Sequence, residues 1–126
     1  MSIQFNHTIV HARDSRASAR FLADILGLSA PVRFGPFWVV AVDNGVSLDF
    51  LATDEGIAPQ HYAFLIDEGR FDVVFSRIRD RGLPFWAAPE KSRPGKINHR
   101  DGGRGMYFDD PDGHSLEVLT RPYGSN

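Results

Sequence analysis

Cysteine is absent from all 126 residues. That excludes disulfide scaffolds, thiolate zinc sites and cysteine nucleophiles, so any metal here must be held by nitrogen and oxygen. No apolar run approaches the roughly 20 residues needed to span a bilayer, and the opening MSIQFNHTIVHARD lacks the basic segment and apolar core of a signal peptide. The expectation is a cytoplasmic protein with no membrane partner. A dominant charge sign is missing as well: 14 basic and 16 acidic residues leave a net charge of -2. Without a long single-sign run, a nucleic-acid partner is not expected. The length suits one compact domain, residues 1–126, able to bury a real core.

Alternation from Ile3 to Val10 predicts a strand. Asp14 is an N-cap for a helix through Leu26, with Phe21, Leu22, Ile25 and Leu26 as its buried stripe and Gly27 as its C-terminal cap. Phe37 to Val42 and Val46 to Leu51 read as strands joined by an Asp43-Asn44-Gly45 turn. The pattern then recurs. Tyr62 to Ile66 is a strand, and Phe71, Val74, Phe75 and Ile78 lie on one helical face that ends at Gly82. Met106 to Phe108 and Ser115 to Leu119 are strands around the Pro111-Asp112-Gly113 turn.

The recurrence is an internal duplication with repeats at about 1–54 and 58–122. His7 to Gly27 spans 20 positions and His61 to Gly82 spans 21, while VSLDFL (Val46 to Leu51) and HSLEVL (His114 to Leu119) share Ser-Leu-carboxylate in register. The two carboxylates, Asp49 and Glu117, are 68 positions apart, against 54 for the two histidines. The second repeat therefore carries extra residues, best assigned to the Pro/Gly/charge-rich loop from Pro89 to Arg104, and long loops in compact domains are often functional.

Glu117 stands in an otherwise apolar strand, where an unpaired buried carboxylate costs several kcal/mol, so a nearby cation is expected. In each repeat the first strand supplies a histidine and the last a carboxylate. If the repeats face a common cleft, His7, His61 and Glu117 converge as a triad of two imidazoles and one carboxylate. Such a set leaves coordination positions open and suits catalysis by a divalent ion. Taken singly, each has a plainer explanation: a lone strand histidine is more often a hydrogen-bonded structural residue, and Glu117 can pair with Arg121. Asp49 is a fourth ligand, a cleft-facing acid or a solvent-facing strand residue, with ligation the minority case.

With His7 in FNHTIV, His61 in QHYAFLI and Glu117 in DPDGHSLEVLT, the whole chain resembles the vicinal oxygen chelate superfamily. That group includes glyoxalase I, fosfomycin-resistance transferases, bleomycin-binding proteins and extradiol dioxygenases. The resemblance implies an α+β domain of paired βαβββ modules forming a curved mixed sheet around a metal-binding cleft. It implies His7, His61 and Glu117 as ligands of a divalent ion, iron(II) favoured, with manganese, nickel or zinc as further candidates. It also implies a small-molecule substrate that chelates the metal through adjacent oxygens, and a homodimer whose clefts are shared between subunits.

Within the superfamily, the run Ile97, His99, Met106-Tyr107, Pro111, Gly113, Glu117 resembles the local signature of extradiol ring-cleavage dioxygenases, which makes Tyr107 and His99 candidate acid–base groups. The plainer reading is a core aromatic and a loop histidine. A glyoxalase I-like lyase would draw a fourth carboxylate from the Asp49 position. An antibiotic-sequestering protein would use an aromatic groove, with Phe37 and Trp38 among its candidate lining residues. Arg100, in the inserted loop, is the candidate contact for an anionic substrate.

Overall fold

The computed structural model describes residues 1–125. By backbone contacts the chain divides into two compact units, Met1 to Ala58 and Pro59 onward.

The first unit runs β1 (His7–Ala12), α1 (Ser15–Leu26), β2 (Val32–Phe34), β3 (Phe37–Ala41) and β4 (Ser47–Ala52). β1 starts later than the Ile3 expected, because its strand neighbour, β4, begins opposite His7 at Ser47. Helix α1 begins where Asp14 accepts the Ala17 N–H at 3.0 Å, which satisfies one of the free donors of the first turn. It ends at Gly27, whose φ of 71° is a left-handed conformation that glycine adopts without steric cost. Its buried side chains, among them Leu22, Ile25 and Leu26, pack with β1, β3 and β4. Val10, Ala12, Val40, Leu48 and Phe50 are the buried positions of those strands. The alternate positions, including His7, Ile9 and Asp49, therefore lie on the other face of the sheet.

The second unit runs β5 (His61–Leu65), α2 (Glu68–Asp80), a short 3-10 turn (Arg100–Gly102), β6 (Gly105–Asp109) and β7 (Ser115–Leu119). Asp67 caps α2 through a 2.6 Å bond from the Arg70 N–H, and Phe71, Val74 and Ile78 are fully buried. Arg104 ties this helix to the start of β6: its guanidinium bonds Glu68 at 2.7 Å and Asp72 at 2.8 Å and lies over the Phe71 ring.

One expectation needs correction. Instead of one curved mixed sheet around a cleft, the described strands form two open sheets. One is four-stranded, in the order β1-β4-β3-β2, and the other three-stranded, β5-β7-β6. The βαβββ order holds in the first unit. In the second, the place of one strand is taken by the segment around Trp86, which meets Tyr107 of β6 only through an isolated bridge. Pro84, Pro89 and Pro94 lie in that stretch, and proline cannot donate to a ladder.

The two units repeat one another in register as well as in order. In the first, β1 runs parallel to β4 with His7 opposite Ser47 and Ile9 opposite Asp49; in the second, β5 runs parallel to β7 with His61 opposite Ser115 and Ala63 opposite Glu117. Among the described residues no helix is long and apolar enough to cross a membrane.

Candidate functional site

Glu117 lies one place along β7 from a residue on the buried side, so strand alternation puts it on the face shared with His61, Ala63 and Tyr107. There it is nearly inaccessible, 1% exposed. Its charge is met by short contacts. His61 Nε2 lies 3.0 Å from Oε1, and the Tyr123 hydroxyl lies 2.8 Å from Oε1 and 2.7 Å from Oε2. The imidazole is nearly half exposed, so the pair has one dry member and one open to solvent.

Tyr107 of β6 pairs directly with Glu117, and its ring centroid lies 5.7 Å from that of His61. Its hydroxyl accepts a 2.8 Å bond from the Arg100 guanidinium and also meets the Tyr123 hydroxyl. Burial, followed by the bonds to Tyr107 and Glu117, pushes the Tyr123 phenol well above its ordinary range. The Tyr107 bond, more than any other influence, raises the Arg100 guanidinium further still. The result is a continuous polar chain: Arg100, Tyr107, Tyr123, Glu117, His61.

Two supports hold the cluster. The buried His114 ring accepts the Gln60 N–H on Nδ1 at 3.0 Å, which fixes the backbone beside His61 and leaves the imidazole proton on Nε2. Asp110, in the same turn, accepts the backbone N–H groups of Asp112 and His114, each at 2.9 Å. Arg100 is set by the buried Asn98, whose amide donates to the Ala87 carbonyl at 2.9 Å and whose oxygen accepts the Arg100 N–H at 3.3 Å. The inserted loop is thus pinned to β6. Asn98 and Gly105 exchange backbone bonds of 2.8 and 3.0 Å, and Trp86 and Tyr107 exchange bonds of 2.9 and 2.8 Å.

Of the residues singled out from the sequence, His61, Glu117, Tyr107 and Arg100 are brought together. His99 is exposed at the start of the 3-10 turn, makes no capping bond and takes no part in the bonded cluster. His7 stands on β1 in the first unit, where its Nδ1 lies 2.6 Å from the Asn6 carboxamide oxygen. That bond puts the proton on Nδ1 and leaves the Nε2 lone pair available, the usual arrangement of a metal-binding histidine. Asp49 accepts the Ser47 hydroxyl at 2.8 Å. Phe37 is opposite Leu51, on the His7 face, whereas Trp38 is opposite buried Phe50, on the α1 face, with the Arg16 and Arg33 guanidinium carbons 5.2 and 5.6 Å from its ring. Tyr123 is the member that sequence reasoning passed over. Its one signal is an aromatic ring in the otherwise polar tail Arg121-Pro122-Tyr123-Gly124, shortly after the candidate ligand.

The His61–Glu117 pair fits a divalent ion. Metal–ligand bonds of about 2.1 Å at right angles place nitrogen and oxygen about 3.0 Å apart, so the observed separation matches two adjacent coordination positions. Among the described residues, no group of three His, Cys, Asp or Glu side chains gathers to hold a metal.

A family profile described as Glyoxalase/Bleomycin resistance protein/Dioxygenase superfamily matches residues 4–118. The solved structure of a protein named Oxidase ChaP-H1 is 65% identical, covers 98% of this chain and 99% of its own, and superposes with a TM-score of 0.96. That of Oxidase ChaP-H2 is 62% identical, with coverage of 99% and 98% and a TM-score of 0.97. Glutathione transferase FosA of Serratia marcescens is 28% identical over 119 residues, which are 90% of this chain and 77% of that protein.

Proposed function

The chain belongs to the Glyoxalase/Bleomycin resistance protein/Dioxygenase superfamily, and from that footing we propose that it is a divalent-metal oxidase of a small molecule that chelates the metal through adjacent oxygens. The observation that carries this reading is the 65% identity, over nearly the full length of both chains, to a protein named an oxidase. The extradiol signature favoured ring cleavage, but none of the relatives described above carries a ring-cleaving name. Oxidation without ring opening is therefore the reading adopted.

His61 and Glu117 would hold the ion, with His7 as the third ligand that the superfamily resemblance implies. A bound divalent metal, iron(II) by preference, would polarise the adjacent substrate oxygens and pass electrons to dioxygen. The chain's own groups do the remaining work. Arg100 spends one donor on Tyr107 and has others free for an anionic substrate oxygen. The Tyr107 hydroxyl, held by Arg100 and Tyr123 beside the His61 ring, is the proposed acid–base group, and His99 enters only if substrate binding draws its loop inward. Oxidation of a catechol or enediol, whose two hydroxyls sit on doubly bonded carbons, to the corresponding dicarbonyl removes two hydrogens, which dioxygen accepts to give hydrogen peroxide.

A second reading, a thiol transferase, is favoured by the FosA relationship. One experiment separates the two. Protein loaded anaerobically with iron(II) is offered catechols and hydroxyquinones in an oxygen electrode with isotopically labelled dioxygen, and manganese-loaded protein is offered glutathione with fosfomycin. Oxygen uptake without label in the product is expected. Label in a ring-opened product would restore the dioxygenase reading, and a glutathione adduct without oxygen uptake would establish the transferase. Tight drug binding with no turnover in either assay would point to sequestration.

A further inference from the structure

Most of the contacts that meet the Glu117 charge come from one hydroxyl outside the sheet. The Tyr123 residue is 61% exposed, so burial of its ring does not explain where it sits. Its hydroxyl, however, lies within 2.8 Å of both oxygens of a carboxylate that water barely reaches. The two outer bonds of the chain have fixed directions. Arg100 can only donate, so the Tyr107 oxygen accepts from it. At the other end the Tyr123 hydroxyl donates to the Glu117 carboxylate, and it also meets the Tyr107 hydroxyl.

We propose that Tyr123 is the positioning residue of Glu117: its hydroxyl fixes the carboxylate orientation in which Oε1 faces His61, and so sets how tightly this site holds a divalent cation. The proposal rests on the reading of Glu117 as a metal ligand. Carboxylates that bind metals are held in turn by hydrogen bonds, and loss of such a partner weakens metal binding about 10–100-fold. Tyr123 supplies that partner from a segment that follows the last strand, Ser115–Leu119.

Cobalt(II) titration of the full chain, read by chelator competition and by the visible spectrum of the bound ion, tests it with three variants. Tyr123→Phe keeps the ring and removes the hydroxyl. It is expected to bind cobalt about 10–100-fold more weakly and to shift the visible band, while metal-free protein melts within about 2 °C of the parent. Tyr107→Phe, which frees the Tyr123 hydroxyl to turn away, should weaken binding in the same direction by a smaller factor. Glu117→Gln should all but abolish it. If Tyr123→Phe binds cobalt as well as the parent, or better, while Glu117→Gln does not bind, the role of Tyr123 is overturned and the ligand reading stands. If Glu117→Gln binds like the parent, the ligand reading falls and takes this proposal with it.

Discussion

His61 and Glu117 meet on a diagonal. Glu117 lies two residues beyond Ser115, the direct partner of His61 in the parallel β5–β7 ladder, yet His61 Nε2 is 3.0 Å from Glu117 Oε1. Diagonal neighbours on one sheet face are about 7–8 Å apart at the backbone, a gap that a glutamate and an imidazole span together. The first unit has the same diagonal in His7 and Asp49, with a side chain one methylene shorter, and there Asp49 turns to its own neighbour Ser47.

Replacing His61 by Ala should therefore separate binding from stability. Cobalt or manganese affinity, read by calorimetric titration, is expected to fall by at least tenfold. Unfolding in urea should change by less than about 1 kcal/mol, because the half-exposed imidazole is replaced by water and Tyr123 still bonds both carboxylate oxygens.

Gly103 in the inserted loop has no room for a side chain. A Cβ there would stand 2.5 Å from Thr120 Oγ1 and 2.9 Å from Arg121 Cγ. Gly103→Ala must push Thr120 aside, and with it the 2.8 Å bond from the Arg104 N–H. A loss of about 1–3 kcal/mol in equilibrium unfolding is expected.

Each helix start depends on one aspartate. Asp14→Ala and Asp67→Ala remove the acceptors of the Ala17 and Arg70 N–H groups, and each should cost about 1 kcal/mol in denaturant unfolding. Substitution by Asn should recover most of that loss.

Asp110 gives a pH dependence of defined sign. Burial raises its carboxyl above the ordinary 3.8, against the bonds from the His114 and Asp112 backbone that lower it. A carboxyl raised in the native state carries no penalty below its unfolded value, and stability is lost as pH rises through the raised native value. Asp110→Asn keeps an oxygen for both backbone N–H groups and cannot ionise. Its urea midpoint should equal or exceed that of the parent at neutral pH, and the difference should shrink toward the parent's disadvantage vanishing below about pH 4.

Periodicity and end signals were enough to read most elements, because Asp14, Gly27 and Gly82 act within a turn or two of themselves. The duplicated Ser-Leu-carboxylate was legible for the same reason, since identical side-chain order on paired strands imposes the same register. Four features were not legible. The segment around Trp86 touches β6 too briefly to become a strand, and sheet separation depends on which strands find partners, a long-range matter that local pattern does not encode. The face occupied by Trp38 depends on register, in which one step moves a side chain to the opposite side. Tyr123 escaped because its role lies in a hydroxyl that reaches back from a polar tail, with no periodic context to mark it.

Among the described strands β5 pairs with β7 alone, which also fixes an order of events in synthesis. As the chain leaves the ribosome, β1 can find β4 within the first half, but the strand carrying His61 has no partner until Ser115–Leu119 has emerged. Translation stopped before that point leaves α2 and an unpaired β5, with one imidazole and no carboxylate. The pair that defines the candidate site thus forms only once β7 is made, so a chain truncated before Ser115 lacks the site altogether.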